Sequence, residues 1–130
     1  MSVELPASHL DLLEGRHTAV LSTVGRDGRP QSTAVFFLLE DGGIGLSIRG
    51  ASQKARNLRA RPACTFFLLD PGNPQRWIEV RGHAELRPDS DYRFRDAVLA
   101  KYGMPPLTEP SGTERVAVLL RPEKVNTLSR

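Results

Sequence analysis

Short runs of β-branched and aliphatic residues recur along this chain, each closed by a turn carrying glycine or proline, and that rhythm constrains the fold more than any other feature. Residues 18–24 (TAVLSTV) form the first such run. Gly25-Arg26-Asp27-Gly28 follows, and its Asp-Gly step favours a tight hairpin. A second strand over residues 30–39 returns from it, and Asp41-Gly42-Gly43 turns the chain into a third strand over residues 44–48. Three strands joined in this way make an antiparallel meander. Later runs at residues 63–69, 77–86 and 115–120, with a short one at 124–128, bring the expected number to six or seven. A small antiparallel β-barrel with a few helices accommodates them, because closing the sheet hides edges that would otherwise pair with other chains.

The helices read from caps and stops. Pro6 opens a short helix that Gly15 ends, and Ser52 caps another over residues 53–60, stopped before Pro62. A third spans residues 90–102, with Asp89 or Ser90 as cap and Phe94, Val98 and Tyr102 at four-residue spacing. Residues 63–69 (ACTFFLL) are apolar apart from Thr65, which predicts burial on both faces. In residues 77–86, Trp77, Glu79, Arg81 and His83 fall on one side, and Ile78, Val80 and Ala84 on the other. Residues 103–112 hold three prolines and two glycines and read as a mobile loop.

Several functions fail on inventory. The 130 residues are read as one domain spanning 1–130. A lone cysteine, Cys64, closes no internal disulfide, and its place in an apolar strand predicts an inert thiol. No Gly-x-Ser-x-Gly elbow, Gly-x-Gly-x-x-Gly loop or Walker loop occurs. His9, His17 and His83 lack ligand spacing, so no metal is expected. No apolar run reaches the ~20 residues needed to span a bilayer, and no secretory signal is visible. A cytoplasmic protein without a membrane partner is the expectation.

The net charge of +3 leaves an anionic partner open, and the basic residues concentrate in one place. Residues 47–62 (SIRGASQKARNLRARP) contain Arg49, Lys54, Arg56, Arg59 and Arg61, with no carboxylate anywhere in residues 49–61. Here a strand ends at Ser47, a glycine turn follows, and a helix starts after Ser52. Hydroxyls, helix-start N–H groups, Lys54 and Arg56 would converge on an anion there. The competing reading is a solvated basic helix face. A nucleic-acid-binding barrel would also use a basic patch, but it normally displays exposed aromatics for stacking. Here aromatics are 6% of residues, and Phe36, Phe37, Phe66 and Phe67 sit within apolar runs, so no specific nucleic-acid partner is expected.

From about Leu10 to Leu128 the chain resembles the split β-barrel flavin and deazaflavin oxidoreductases, the superfamily that includes pyridoxamine 5′-phosphate oxidase. The resemblance rests on Gly28-Arg29-Pro30 at a strand start, then Ser52-Gln53-Lys54-Ala55-Arg56-Asn57-Leu58, then Arg61-Pro62 before the next strand. Lys-x-Arg-Asn-Leu followed by Pro is similar to the coenzyme F420-dependent branch. The implied fold is an FMN-binding-type split barrel, antiparallel with Greek-key character.

The resemblance also implies roles. Ser47, Ser52, Gln53 and Lys54 correspond to the loop holding the coenzyme phosphate and oligoglutamate tail, with Arg49 and Arg56 close enough to assist. Thr33 and Ala34 correspond to residues lining the ring pocket. Trp77 corresponds to a strand start that reaches a coenzyme held by the other subunit, since such barrels are homodimers with sites at the interface. Where the oxidase pattern carries an Arg and a Lys to grip FMN, this chain has Thr33 and Leu38, and Gln53 replaces a further Arg. The expected cofactor is therefore coenzyme F420, with FMN as alternative. The expected function is hydride transfer between F420 and a small conjugated organic substrate. The alternatives are an FMN-dependent oxidase or reductase, or a non-enzymatic small barrel binding nucleic acid or a small hydrophobic ligand. No catalytic residue is assigned, because nothing in the sequence places His83 or Tyr102 near the ring.

Overall fold

A computed structural model describes residues 3–130. The element order is β1 (Ala19–Val24), β2 (Pro30–Val35), β3 (Leu38–Glu40), β4 (Gly43–Arg49), α2 (Gln53–Ala60), β5 (Ala63–Leu69), β6 (Arg76–Pro88), α3 (Arg93–Lys101) and β7 (Arg115–Ser129), preceded by a 3₁₀ turn (Ala7–His9) and α1 (Leu10–Glu14). The seven strands form one antiparallel sheet in the order β2-β1-β5-β6-β7-β4-β3. This is the mainly β split barrel that the strand rhythm and the family resemblance predict. Among the described residues no helix is long and apolar enough to cross a membrane.

The run at residues 30–39 is two strands, and the break explains how the sheet closes. β2 and β3 lie at opposite edges of the sheet, so the link at Phe36-Phe37 carries the chain from one edge to the other. The Phe37 ring is fully buried and meets Phe66 edge-on at 4.9 Å. The Phe37 N–H donates to Tyr102 Oη (3.2 Å), and the Tyr102 hydroxyl donates to the His17 carbonyl (2.6 Å). Phe36 stacks on the Tyr102 ring at 4.0 Å. Backbone groups that leave the ladder at the crossing are thereby satisfied by the end of α3 rather than by a neighbouring strand.

Two strands expected at the C-terminal end are one. β7 pairs with β6 from Arg76↔Ser129 to Pro88↔Val116, with a bulge between Arg81 and Gly82 where the register shifts past Glu123. A bulge lets a strand this long curl around the barrel while keeping its pairing. β5 corrects a second expectation. Cys64, Phe66 and Leu68 are buried, but Thr65 and Phe67 are only half-buried and Leu69 is 44% exposed. One face of β5 packs on the core, and the described residues cover the other only in part, with Trp77 against Phe67. Burial pushes the Cys64 thiol up to about 12, so it stays protonated and inert.

α3 begins at Arg93, later than its capping signals suggest. The Asp89 carboxylate caps it from outside, accepting from the Phe94 N–H (3.0 Å) and the Arg95 N–H (2.9 Å). That leaves residues 90–92 as a turn, with Tyr92 in the left-handed region at φ 60°. α2 matches its expected bounds. Ser52 Oγ accepts from the Ala55 N–H (3.2 Å), and the helix ends before Pro62.

Candidate functional site

β2, β4, β7, α2, α3 and the loop over residues 103–112 line an open-sided cavity of about 300 Å³. One wall is apolar and comes from Ala34, Val35, Phe36, Val98, Leu99 and Leu107. The other carries Ser47, Lys54, Arg95 and Arg115. The first turn of α2 delivers Lys54 to this wall because Ser52 fixes where the helix starts. β4 delivers Ser47, two residues before the strand ends.

Lys54 is a half-buried cation. Its Nζ donates to Thr33 Oγ1 (3.3 Å), and it has no carboxylate partner among the described residues. Burial first, and the neighbouring Arg115 second, lower its pKa. A cation held in this way favours an incoming anion, which would restore what desolvation took. Ser47 Oγ is buried and finds no hydrogen-bond partner among the described residues. A buried hydroxyl with spare donor and acceptor capacity beside a lone lysine is the feature a ligand oxyanion would satisfy.

Only some of the predicted site residues meet at this cavity. Ser47, Lys54 and Ala34 meet at the cavity, and Thr33 joins through its bond to Lys54. Ala34 lines the cavity directly, whereas Thr33 is absent from its lining and reaches it through Lys54. Ser52 and Arg56 serve α2 itself. The Ser52 hydroxyl donates to the Arg49 carbonyl (2.7 Å) as well as capping the helix, and Arg56 donates to the Ala51 carbonyl (2.7 Å) and to Gln53 Oε1 (2.8 Å). Gln53 lines a separate open cleft with Arg26 and Arg29 of the β1–β2 turn. Trp77 sits on the outer face of β6 against Phe67, with ring centroids 5.6 Å apart, and does not line this cavity.

The basic segment is not one free track. Arg59 donates to the Gly50 carbonyl (2.7 Å) and pairs with Glu114 (3.6 Å), and Arg61 donates to the Val24 carbonyl (2.8 Å). Arg49 pairs with Glu109 (3.3 Å). These contacts hold α2 and the neighbouring turns, and of the five basic residues they leave Lys54 alone without a carbonyl or carboxylate partner among the described residues.

Sequence reasoning missed Arg95, Arg115 and Glu109. The Glu109 side chain is 3% exposed, with Arg115 on both carboxylate oxygens (2.8 Å each) and Arg95 on one (2.8 Å). Hydrogen bonds from Arg115 and then Arg95 hold its pKa down at about 2, against the opposing effect of burial. The one available signal was that Glu109 is the only carboxylate within residues 103–112. Those residues read as a mobile loop, but this contact pins them.

Comparison with known proteins follows the same lines. The family described as pyridoxamine 5′-phosphate oxidase matches residues 5–129. A solved structure described as an F420 reductase is 36% identical, with a TM-score of 0.84, and the alignment covers 94% of this chain and 98% of that one. The conserved hypothetical protein Rv2991 from Mycobacterium tuberculosis is 29% identical, with a TM-score of 0.79 and coverage of 98% and 86%. The General Stress Protein 26 from Bacillus anthracis str. Sterne, at 24% identity, a TM-score of 0.70 and coverage of 92% and 94%, shares the fold. No curated protein sequence matches.

Proposed function

The chain belongs to the pyridoxamine 5′-phosphate oxidase family, and from that membership we propose that it is an oxidoreductase moving a hydride between coenzyme F420 and a small conjugated organic substrate. The observation that carries this reading is the pairing of an apolar wall with the uncountered Lys54 and the unpartnered Ser47 hydroxyl in one cavity. A planar ring with an anionic side arm fits both walls. When bound, the deazaflavin supplies the hydride chemistry. The protein's contribution is to bind, orient and exclude water. Ala34, Phe36, Val98 and Leu99 would pack the ring, and Lys54 with Ser47 would hold the anionic group. F420 is preferred over FMN for two reasons: the likeness to an F420 reductase, and Thr33, Leu38 and Gln53 where an FMN site would carry basic residues. Tyr102 and His83 are given no catalytic role. The Tyr102 hydroxyl is engaged by the His17 carbonyl and the Phe37 N–H, and His83 pairs with Glu123 (3.2 Å), so neither lines the cavity.

Fluorescence titration with F420 and with FMN tests the cofactor, and Lys54→Ala tests the site. A charge-assisted hydrogen bond contributes about 1.5–3 kcal/mol, so the substitution should raise the F420 dissociation constant roughly ten- to hundredfold with the fold intact. Unchanged affinity would leave Lys54 a solvated charge. Tight FMN binding without F420 binding would transfer the assignment to a flavin enzyme.

We also propose a homodimer. Val20, Phe67, Leu69 and Trp77 share the outer face of β1, β5 and β6, where Val20 pairs with Phe67 and Leu69 with Trp77. Val20 and Leu69 are 38% and 44% exposed, an apolar face suited to a second copy. Light scattering should report a dimer at micromolar concentration; a monomer there would count against a site shared between subunits.

A further inference from the structure

The cage around Glu109 and the cavity share two arginines. Arg95 and Arg115 line the cavity, and the same guanidinium groups grip the Glu109 carboxylate at 2.8 Å. The loop that carries Glu109 also lays Leu107, itself 42% exposed, along the apolar wall. Little else holds the middle of that loop. Among the described residues, none of residues 105–109 makes a backbone–backbone hydrogen bond, and Pro105 and Pro106 have no N–H to give. The chain regains a ligating hydrogen bond only at Pro110, whose carbonyl accepts from Thr113.

Charge around the cavity is unbalanced. Arg49, Lys54, Arg95 and Arg115 gather there, and the carboxylates touching them are Glu109 and Asp96, the latter on Arg95 at 3.0 Å. The bidentate grip of Arg115 on Glu109 is the geometry a guanidinium presents to any carboxylate or phosphate. Exchanging Glu109 for a ligand oxyanion re-forms those bonds one for one. Releasing the loop returns the backbone entropy that its tether removes, so the exchange need not oppose binding.

We propose that the Arg95–Arg115 pair is an oxyanion subsite of this cavity, filled by the chain's own Glu109, and that a carboxylate or phosphate of an entering ligand displaces Glu109 and frees the loop over residues 103–112. The inference rests on reading the cavity as the ligand site, though not on which cofactor occupies it. Leu107 then leaves the apolar wall as the anion arrives, which couples recognition of charge to the width of the ring pocket.

The test uses the full chain with inorganic phosphate and glutarate as separate probes, followed by ¹⁵N heteronuclear NOE at Leu107, Thr108 and Glu109. Saturation with either probe should lower the NOE at these three amides and leave β4 and β7 unchanged. Release by phosphate alone or by glutarate alone identifies which oxyanion the subsite takes. Glu109→Gln should bind the effective probe at least about tenfold more tightly and show a low NOE without it. Asp96→Asn removes a carboxylate from Arg95 without touching the loop, and should tighten binding less than about threefold. If Glu109→Gln fails to fold, the wild-type NOE measurement decides alone. The proposal is overturned if neither probe binds at tens of millimolar, if a bound probe leaves the three amides rigid, or if a folded Glu109→Gln binds no more tightly than wild type. F420 binding with a rigid loop would remove the displacement and keep the cofactor reading. Loop release by phosphate without F420 binding would do the reverse.

Discussion

Phe37→Ala should lower the unfolding free energy by about 3–5 kcal/mol, the range for removing a fully buried aromatic ring. The ring is 0% exposed, meets Phe66 edge-on, and has Lys101 Nζ 3.9 Å above it. Its loss opens a void where the chain crosses between the two sheet edges. It also strips the ring from under an ammonium whose pKa burial already lowers to about 8. The neighbouring Phe36→Ala removes a half-buried ring stacked on Tyr102 and should cost clearly less. Urea midpoints for the two variants separate the cases. A loss at Phe37 no larger than at Phe36 would mean that the crossing is not part of the cooperative core.

Gly82→Ala should cost about 3 kcal/mol or more, at the upper end of overpacking effects, since the obstacle is backbone. A Cβ there would run into the Arg121 carbonyl oxygen, with the Arg121 carbonyl carbon at 2.9 Å and Leu120 Cδ2 at 3.0 Å. Gly82 stands at the β6–β7 bulge opposite Pro122, where neither strand can withdraw without losing the register on both sides. Its φ is not in the left-handed region, so the cost is contact rather than backbone strain. Gly72→Ala is the control. Its new Cβ would lie 3.5 Å from Asp70 Oδ1, an ordinary contact, and the change should stay within about 0.5 kcal/mol. Thermal unfolding of both variants checks the pair; equal melting temperatures would show that the bulge can absorb a methyl group.

These two positions also show where reading a chain in one dimension stops. Gly82 carries no turn signal and lies inside a strand pattern, and only the partner strand reveals why a side chain is forbidden. Phe37 was legible as apolar. Its role in carrying the chain between edges depends on strands far apart in sequence taking the two ends of one sheet.

For the candidate site, Ser47 and Lys54 were legible because their signals are local: a strand end, a cap and a first helical turn within eight residues. Arg59 and Arg61 looked like further anion contacts on composition, and carbonyls and a carboxylate elsewhere engage them. Charge counts along a segment do not record the partners that folding brings to it.

The division has a physical basis. Sequence alone determined what depends on torsion preferences and neighbours within a turn or two: the Asp27-Gly28 hairpin, the Ser52 cap, the stop at Pro62, and the alternation that buries Ile78 and Val80. Tertiary structure decided whatever requires residues distant along the chain to share one place. The segment over residues 30–40 became the two opposite edges of a single sheet. β5 kept one face only partly covered, although its composition is apolar apart from Thr65. The buried Glu109 carboxylate drew Arg95 and Arg115, and the more exposed Arg49, from three different elements. Such contacts are selected by the closing of the barrel, where loop entropy, strand register and desolvation act together, and no periodicity in the chain encodes which carboxylate will meet which arginine.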